Sequence, residues 1–599
     1  IAFYKSKGFR DAEILEDTVL SVDEKSVDIN ITVNPGKRYY FRDINWKGNF
    51  VHADDKLSKI LAIDKGDVYN LELVDKKLNF NPNGPDISSL YMDNGYLFFS
   101  VNPVETKIEG DSVDVEMRIY EGAQATIRKV YVTGNDRTND HVILRELRTL
   151  PGSKFSRAEL IRTQRELSQL GYFDPEQVNP KPLPNPADET VDIEWELVER
   201  ASDQIELSGG WGGSYGFVGS LGLTFNNFSL RNIPHFDKWS PLPVGDGQKL
   251  SLRMQANGRQ YQSYSMSFSE PWLGGKKPNS FGVSLNHSVQ RTFGFTNGRF
   301  DFDAPVQQSI QVSGITVSLG RRVTWPDDYF TISNSVSYLQ YDIYSQFATN
   351  NNATFSGYET GVYNNFTFNT TISRNSIDNP MFPRTGSSVT LNVALTPPWS
   401  LLNDIDYETA SNSEKFKYIE YHKWMFDAKY YLQLVGNLVL ETRAHMGFIG
   451  SYQSSTGIGP FERFQLGGDG LTGTNFVLGN DVIGLRGYDN NSIRPQNNES
   501  GYTSGSIYNK LTMELRYPVS LNPSATIYVL AFSEAGNNWD GFKNYNPNKL
   551  FKSSGVGVRI FMPAFGLLGI DWGYGYDTIP GQETNAGGQI HFSIGQQLR

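Results

Sequence analysis

From about residue 201 onward the chain alternates between apolar and small or polar side chains, and this two-residue period restricts its fold more than any other feature. In 568–576, Leu568, Ile570, Trp572, Tyr574 and Tyr576 share one face of a strand, while Gly569, Asp571, Gly573 and Gly575 share the other. A soluble sandwich would turn the aromatic face inward. Here nearly every segment has such a face, and too few further apolar elements remain to cover them. The lipid bilayer is the expected cover, and 37 Phe, 32 Tyr, 10 Trp and 57 Gly suit short strands with aromatic girdles and many turns. No run of about eighteen apolar residues occurs, which excludes a transmembrane helix and leaves a barrel open.

Sixteen candidate strands follow, from 203–212 to 587–598, and include 507–517, 525–533 and 567–576. The expected fold is an all-β transmembrane barrel of about 16 antiparallel strands over 201–599, preceded by small α+β domains. Connections at 294–305, 344–361, 397–417, 450–506, 534–551 and 577–586 fall on the outer side and are mostly long. One inward connection, 227–247, is long and contains Pro, and the strand count does not explain it.

Residues 1–200 repeat a different pattern: a Gly-aromatic pair, a spacer, an alternating strand, a turn, a second strand ending near Gly-Asn, and an amphipathic helix. The pairs are Gly8-Phe9, Gly95-Tyr96 and Gly171-Tyr172, and the turns Gly48-Asn49 and Gly134-Asn135. Helical spacing appears at 53–62, 71–78, 140–150 and 157–170. The expected domains are 1–36 (the C-terminal part of one bead), 37–122, and 123–200, which adjoins the barrel. Ile1 opens inside this pattern, so a targeting signal and further domains are expected upstream.

Composition narrows the function classes. Net charge is −11, against a general nucleic-acid binder, and no cysteine is present. Seven His are scattered without ligand spacing, and no H-E-x-x-H, Walker A or G-x-S-x-G motif occurs. No catalytic residue, metal site or cofactor is expected, and the chain is read as not an enzyme.

The beads, through their Gly-aromatic pairs, Glu121-Gly122 and Gly-Asn turns, resemble POTRA domains. The longest loop, 450–506, holds Phe464-Gln465-Leu466-Gly467-Gly468 and then Leu485-Arg486-Gly487-Tyr488. Downstream come Phe532-Ser533-Glu534-Ala535-Gly536, the hairpin from Ser553 to Asp571, and a terminal strand from Ile590 to Leu598. Together these resemble the outer-membrane insertase superfamily across essentially the whole chain. The resemblance implies that the loop folds back into the lumen and sets Arg486 against acidic residues of the inner wall. Alternation puts Asp571 on that wall, where its neighbouring glycines leave room for a guanidinium; a water-contacting lumen carboxylate is the plainer reading. Glu534 stands where the family has Asp, and Glu514, Arg516 and Arg559 read as ordinary inward charge.

The second expected site is the seam between first and last strands. Five glycines in 207–216 leave little side-chain area to hold register around Leu207, Gly209, Gly210 and Gly212. Opposite them stand Ile590, Phe592, Ile594 and Gly595. The resemblance implies that this seam opens so that a client strand can pair with the exposed edge; equally, the glycines only relieve crowding in a curved strand. The family ends on an aromatic residue and this chain on Gln597-Leu598-Arg599, which leaves the seam register open.

The implied function is the central subunit of outer-membrane barrel assembly, with the beads in the periplasm. Its implied partners are periplasmic assembly lipoproteins, unfolded outer-membrane protein clients and the lipid bilayer, with surface lipoproteins at loops 397–417 and 450–506 as a further expectation, and no nucleic acid. A two-partner-secretion pore and a surface receptor are the alternatives.

Overall fold

A computed structural model describes the chain except residues 22–25, 82–83, 201, 212–216, 240–241, 258, 297–298, 302–304, 346–358, 380–381, 469–478, 497–501, 523–524, 563–565, 580–584 and 595–599. The chain forms two compact units, 1–202 with 229–246, and 203–228 with 247–599.

In the first unit each complete bead is a three-stranded sheet covered by helices. Tyr40–Lys47 runs parallel to the central Ser112–Tyr120, which pairs antiparallel with Ser100–Glu109. Thr126–Thr133, Thr190–Glu196 and Asn179–Asn185 repeat that order. Apolar side chains of the helices Asp54–Leu61, Leu71–Leu78 and Ile87–Met92 close one core, including Leu57, Val74 and Ile87. Arg157–Gln169 supplies Leu160 and Leu167 to the other, against Trp195.

The repeated Gly-Asn turn has a steric cause in both beads. A Cβ on Gly48 would stand 2.1 Å from the carbonyl oxygen of Ile119, and one on Gly134 1.9 Å from that of Leu197, both at positive φ. The following asparagines make matching bonds. The Asn49 amide donates to the carbonyl of His52 at 2.9 Å and to Asp54 at 2.7 Å, and that of Asn135 to Thr138 and Asp140, both at 2.8 Å.

Three expectations change here. The helix at 140–150 stops at Leu144, and Leu147 is buried beyond it. The spacers form edge strands that alternation did not reveal, because Asn179–Asn185 carries Pro at every second position. The inward connection 229–246 folds onto the last bead: the amide of Asn139 donates to the carbonyl of Gly245 at 3.0 Å, and its side chain to Asp246 at 2.9 Å.

The second unit is a sixteen-stranded antiparallel sheet in which consecutive long strands pair, running from Gln204–Trp211 to Asn585–Ile594. The strands at 507–522 and 525–539 are longer than alternation suggests, and extend past the roughly ten residues that span a bilayer. Phe366, Phe368, Phe426, Ile570 and Trp572 are exposed on the outer face, as a lipid-facing belt requires. Among the described residues no helix is long and apolar enough to cross a membrane. Loop 450–506 adds the short parallel strands Phe464–Leu466 and Asp481–Ile483, whose Phe464, Leu466 and Ile483 are buried with Leu485 in one apolar cluster.

Candidate functional site

Leu485–Tyr488 continues from this cluster, to which Leu485 and Tyr488 belong, and lies against the inner face of the last five strands. Leu485 is buried, and its amide donates to the carbonyl of Gly468 at 2.9 Å. The Arg486 side chain is 3% exposed. Its backbone amide donates to Glu534 Oε2 at 2.8 Å, and Nη2 donates to Glu534 Oε1 at 2.8 Å and to Glu514 Oε1 at 2.7 Å. The guanidinium carbon is 3.6 Å from the ring centroid of Phe532, two residues before Glu534 on the same strand face. An arginine is the side chain that can make this set, because its planar fork reaches two carboxylates while stacking on an aromatic ring.

Both carboxylates expected near Arg486 are there, Glu534 in hydrogen-bond contact and Asp571 as a longer ion pair, and Glu514 joins them. Asp571 stands 3.6 Å from Arg486 Nη1, beyond hydrogen-bond distance, and instead takes two 2.8 Å bonds from Arg559. Arg559 wins because Gly557 lies directly opposite Asp571 and Arg559 two residues on, so it reaches both carboxylate oxygens diagonally across neighbouring strands. Glu534 and Glu514 are the nearest partners, and Glu514 in turn accepts from Arg516 at 2.6 Å and 2.8 Å. Leu530 and Phe532 share the inward face of Glu534 because that part of the lumen is filled, with Phe382 and Tyr431 packed there.

The glycines make room for backbone. A Cβ on Gly487, which has a φ of +89°, would be 2.9 Å from the amide nitrogen of Gly575, and one on Gly573 would be 2.7 Å from the amide of Gly487. The Tyr488 hydroxyl donates to the carbonyl of Lys552 at 2.7 Å. His591 on the last strand accepts from the Gly487 amide at 2.9 Å, a contact the sequence did not suggest.

Two further anchors were missed. Lys423, buried on the strand His422–Gln433, meets Glu462 at 3.1 Å and Asp481 at 2.6 Å, one carboxylate beside each short loop strand. Arg463, 1% exposed, donates to the carbonyls of Ile458, Gly459 and Ser504 and to Asp540 at 2.8–3.1 Å. An inward-facing charge beside the loop motif was the available signal, but pairing across such sequence distances is not periodic.

At the seam, among the described residues, Gln204–Trp211 and Asn585–Ile594 are the two ends of the sheet and share no ladder. Leu207, Gly209 and Gly210 pair with Leu221, Gly219 and Val218 of the second strand. Ile590, Phe592 and Ile594 pair with Trp572, Ile570 and Leu568, and Ile590 is exposed. Gly212 and Gly595 lie outside the described residues. No group of three metal-ligating side chains occurs among the described residues.

A family model described as Omp85 superfamily domain matches residues 244–598. Another, described as surface antigen variable number repeat (POTRA), matches 39–122 and 125–200. "Outer membrane protein assembly factor BamA" of Neisseria meningitidis serogroup B is 25% identical over 578 residues, covering 93% of this chain and 64% of that protein, so the chain spans just under two thirds of that relative. Two solved structures share the fold. BamA from Haemophilus ducreyi lacking POTRA domains 1-3 has a TM-score of 0.57 at 18% identity, over 92% of this chain and 98% of that one. CdiB from Escherichia coli has a TM-score of 0.51 at 11% identity, over 98% and 94%.

Proposed function

We propose, given that the chain belongs to the Omp85 superfamily, that it folds and inserts outer-membrane proteins. In this reading the barrel lies in the bacterial outer membrane and the POTRA beads in the periplasm. The observation that carries the reading is the pair of end strands that share no ladder among the described residues, in a chain similar over nearly its whole length to an outer membrane protein assembly factor. An unpaired strand edge presents backbone donors and acceptors at the spacing another strand needs. A client's terminal strand pairs with the glycine-rich first strand, successive client strands follow, and no covalent chemistry or nucleotide is involved.

The Arg486 lock supports this reading as a positioning device. Leu485, Arg486, Gly487 and Tyr488 hold the loop on the inner wall through Glu534, with Glu514 beside it and Asp571 bracing Arg559. Desolvation offsets much of the attraction in such a pair, so its role is to fix register rather than to add net stability. Periplasmic lipoproteins of the BamD kind and unfolded clients are the proposed partners, with surface lipoproteins at the long outer loops.

The test uses the absence of native cysteine. A cysteine pair joining the first strand at 207–211 to the last at 590–594 is expected to block assembly of other barrels when oxidised and to release it when reduced. Normal assembly in the oxidised protein removes the seam mechanism. The alternative, a secretion pore, is separated by co-purification: periplasmic lipoproteins and nascent barrels favour assembly, whereas one large secreted protein favours the pore.

A further inference from the structure

Inside the barrel unit, a cavity of about 50 Å³ is lined by six basic side chains, Lys429, Arg443, Arg486, Lys510, Arg516 and Arg559. Five carboxylates pair with this set. Arg443 donates to both oxygens of Asp427 at 2.7 Å and 2.8 Å, Arg516 meets Glu441 as well as Glu514, and Lys510 meets Glu534 at 3.2 Å. Arg559 is held by Asp571, and Arg486 shares Glu534 and Glu514. Lys429 is left over: among the described residues its side chain has no ion pair and no hydrogen bond.

Strand register sharpens this surplus. Lys429 stands directly opposite Arg443 in the ladder between His422–Gln433 and Val439–Gly450, and like charges so placed repel. On the following strand the residue opposite Arg443 is Thr512, so that row brings no carboxylate to its other side. Arg486 adds unused donors. Its Nε and Nη1 are buried with no acceptor in hydrogen-bond reach among the described residues, and Asp571, 3.6 Å from Nη1, is already taken by Arg559. Buried donors of a charged group left without an acceptor are costly.

Six cations against five carboxylates leave a net charge of +1 on this set, which fixes the sign and valence of a matching ligand. Volume narrows it further. A water-sized sphere needs about 10–15 Å³ of such a space, so about 50 Å³ admits a monatomic ion with water beside it and excludes a sugar or a nucleotide. We propose that the cavity binds one small monovalent anion of the halide class, which neutralises Lys429 and accepts from N–H groups turned into the same space. The ion couples the strand pair that carries Lys429 and Arg443 to Arg486 on the inward loop. The inference rests on the barrel fold and not on the assembly reading.

The test follows proteolysis of loop 450–506 in the full chain in detergent micelles, with sodium chloride titrated against sodium gluconate at constant ionic strength. Cleavage is expected to slow several-fold in chloride and to saturate with its concentration, and sodium bromide should act as chloride does. Lys429→Gln should remove the dependence, whereas Lys417→Gln, which removes an exposed cation outside the strands, should keep it. Equal cleavage in chloride and gluconate overturns the proposal, and so does a chloride dependence that survives in Lys429→Gln. Should Lys429→Gln fail to fold, crystals of the wild-type chain grown in sodium bromide decide: an anomalous peak in the cavity beside Lys429 supports the site, and its absence there overturns it. Barrel assembly is not read in either experiment.

Discussion

The backbone amide of Gly487 donates to Nε2 of His591 at 2.9 Å, joining the inward loop to the last barrel strand one residue after the buried arginine. His591 stands opposite Asp571 in the ladder. The loop thus touches an end strand of the sheet. Replacing His591 with Ala is expected to leave the bonds of Arg486 intact and to cost about 1 kcal/mol of local stability. Hydrogen exchange should quicken at 585–594 with little change at 439–450.

Arg486→Ala leaves Glu534 and Glu514 buried with less compensating charge. Removing one partner of a buried pair costs about 3–5 kcal/mol, here borne locally by the loop. The barrel should still fold, seen as heat-modifiable migration on gels, while loop 450–506 becomes protease-sensitive and assembly slows. Because Asp571 takes its hydrogen bonds from Arg559 and meets Arg486 only at 3.6 Å, Glu534→Gln should reproduce the loop phenotype more fully than Asp571→Asn. Equal protease sensitivity in both variants would contradict this order of partners.

Gly487→Ala tests the close approach of the loop to the wall. Its positive φ costs about 1 kcal/mol or more in a non-glycine residue, and the new methyl also meets the Gly575 amide. Loop protection should fall even though every charge remains. Protection equal to the wild type would show that the wall yields.

Lys423→Met removes the ammonium that joins Glu462 and Asp481. The outer part of the loop should loosen while Arg486 stays in place, since the two anchors share no side chain. Proteolytic cleavage near 462–481 that precedes cleavage near 486 is the expected order.

In the beads, Arg10 donates to Glu105 at 2.7 Å, tying the first bead to the second, and holds the Glu105 carboxyl below its usual range. A carboxylate lowered on folding stabilises the protein fully above its unfolded value and loses that contribution as pH falls through the lower, folded value. Both side chains are about a third exposed, so the effect is at most about 1 kcal/mol. Amide exchange at the junction of residues 8–12 with 100–109, corrected for its intrinsic pH dependence, should show lost protection below about pH 4, the usual glutamate range, and Glu105→Gln should reduce that dependence to the part carried by Asp11, whose carboxyl Tyr39 and Arg10 also hold low.

The strands were legible because a sheet with lipid on one side and a lumen on the other imposes a two-residue period on every strand. Their ends were less so: 525–533 continues to Trp539 because the loop inside the lumen covers the inner face there, with Asn538 donating to the carbonyl of Phe464 at 2.9 Å. The edge strand 179–185 was hidden by its prolines, and the connection at 229–246 by having no period at all.

The sequence by itself determined the barrel and the beads and singled out Arg486, because periodicity and a short glycine-flanked motif are local properties. Only the tertiary structure decided which carboxylates Arg486 meets. Glu514 and Asp571 face the lumen by alternation, and alternation assigns a face without a partner. The choice came from strand register, which put Arg559 diagonally across from Asp571, and from Gly487, Gly573 and Gly575, which let the loop backbone come close enough for Glu534 to take both the amide and the guanidinium of Arg486.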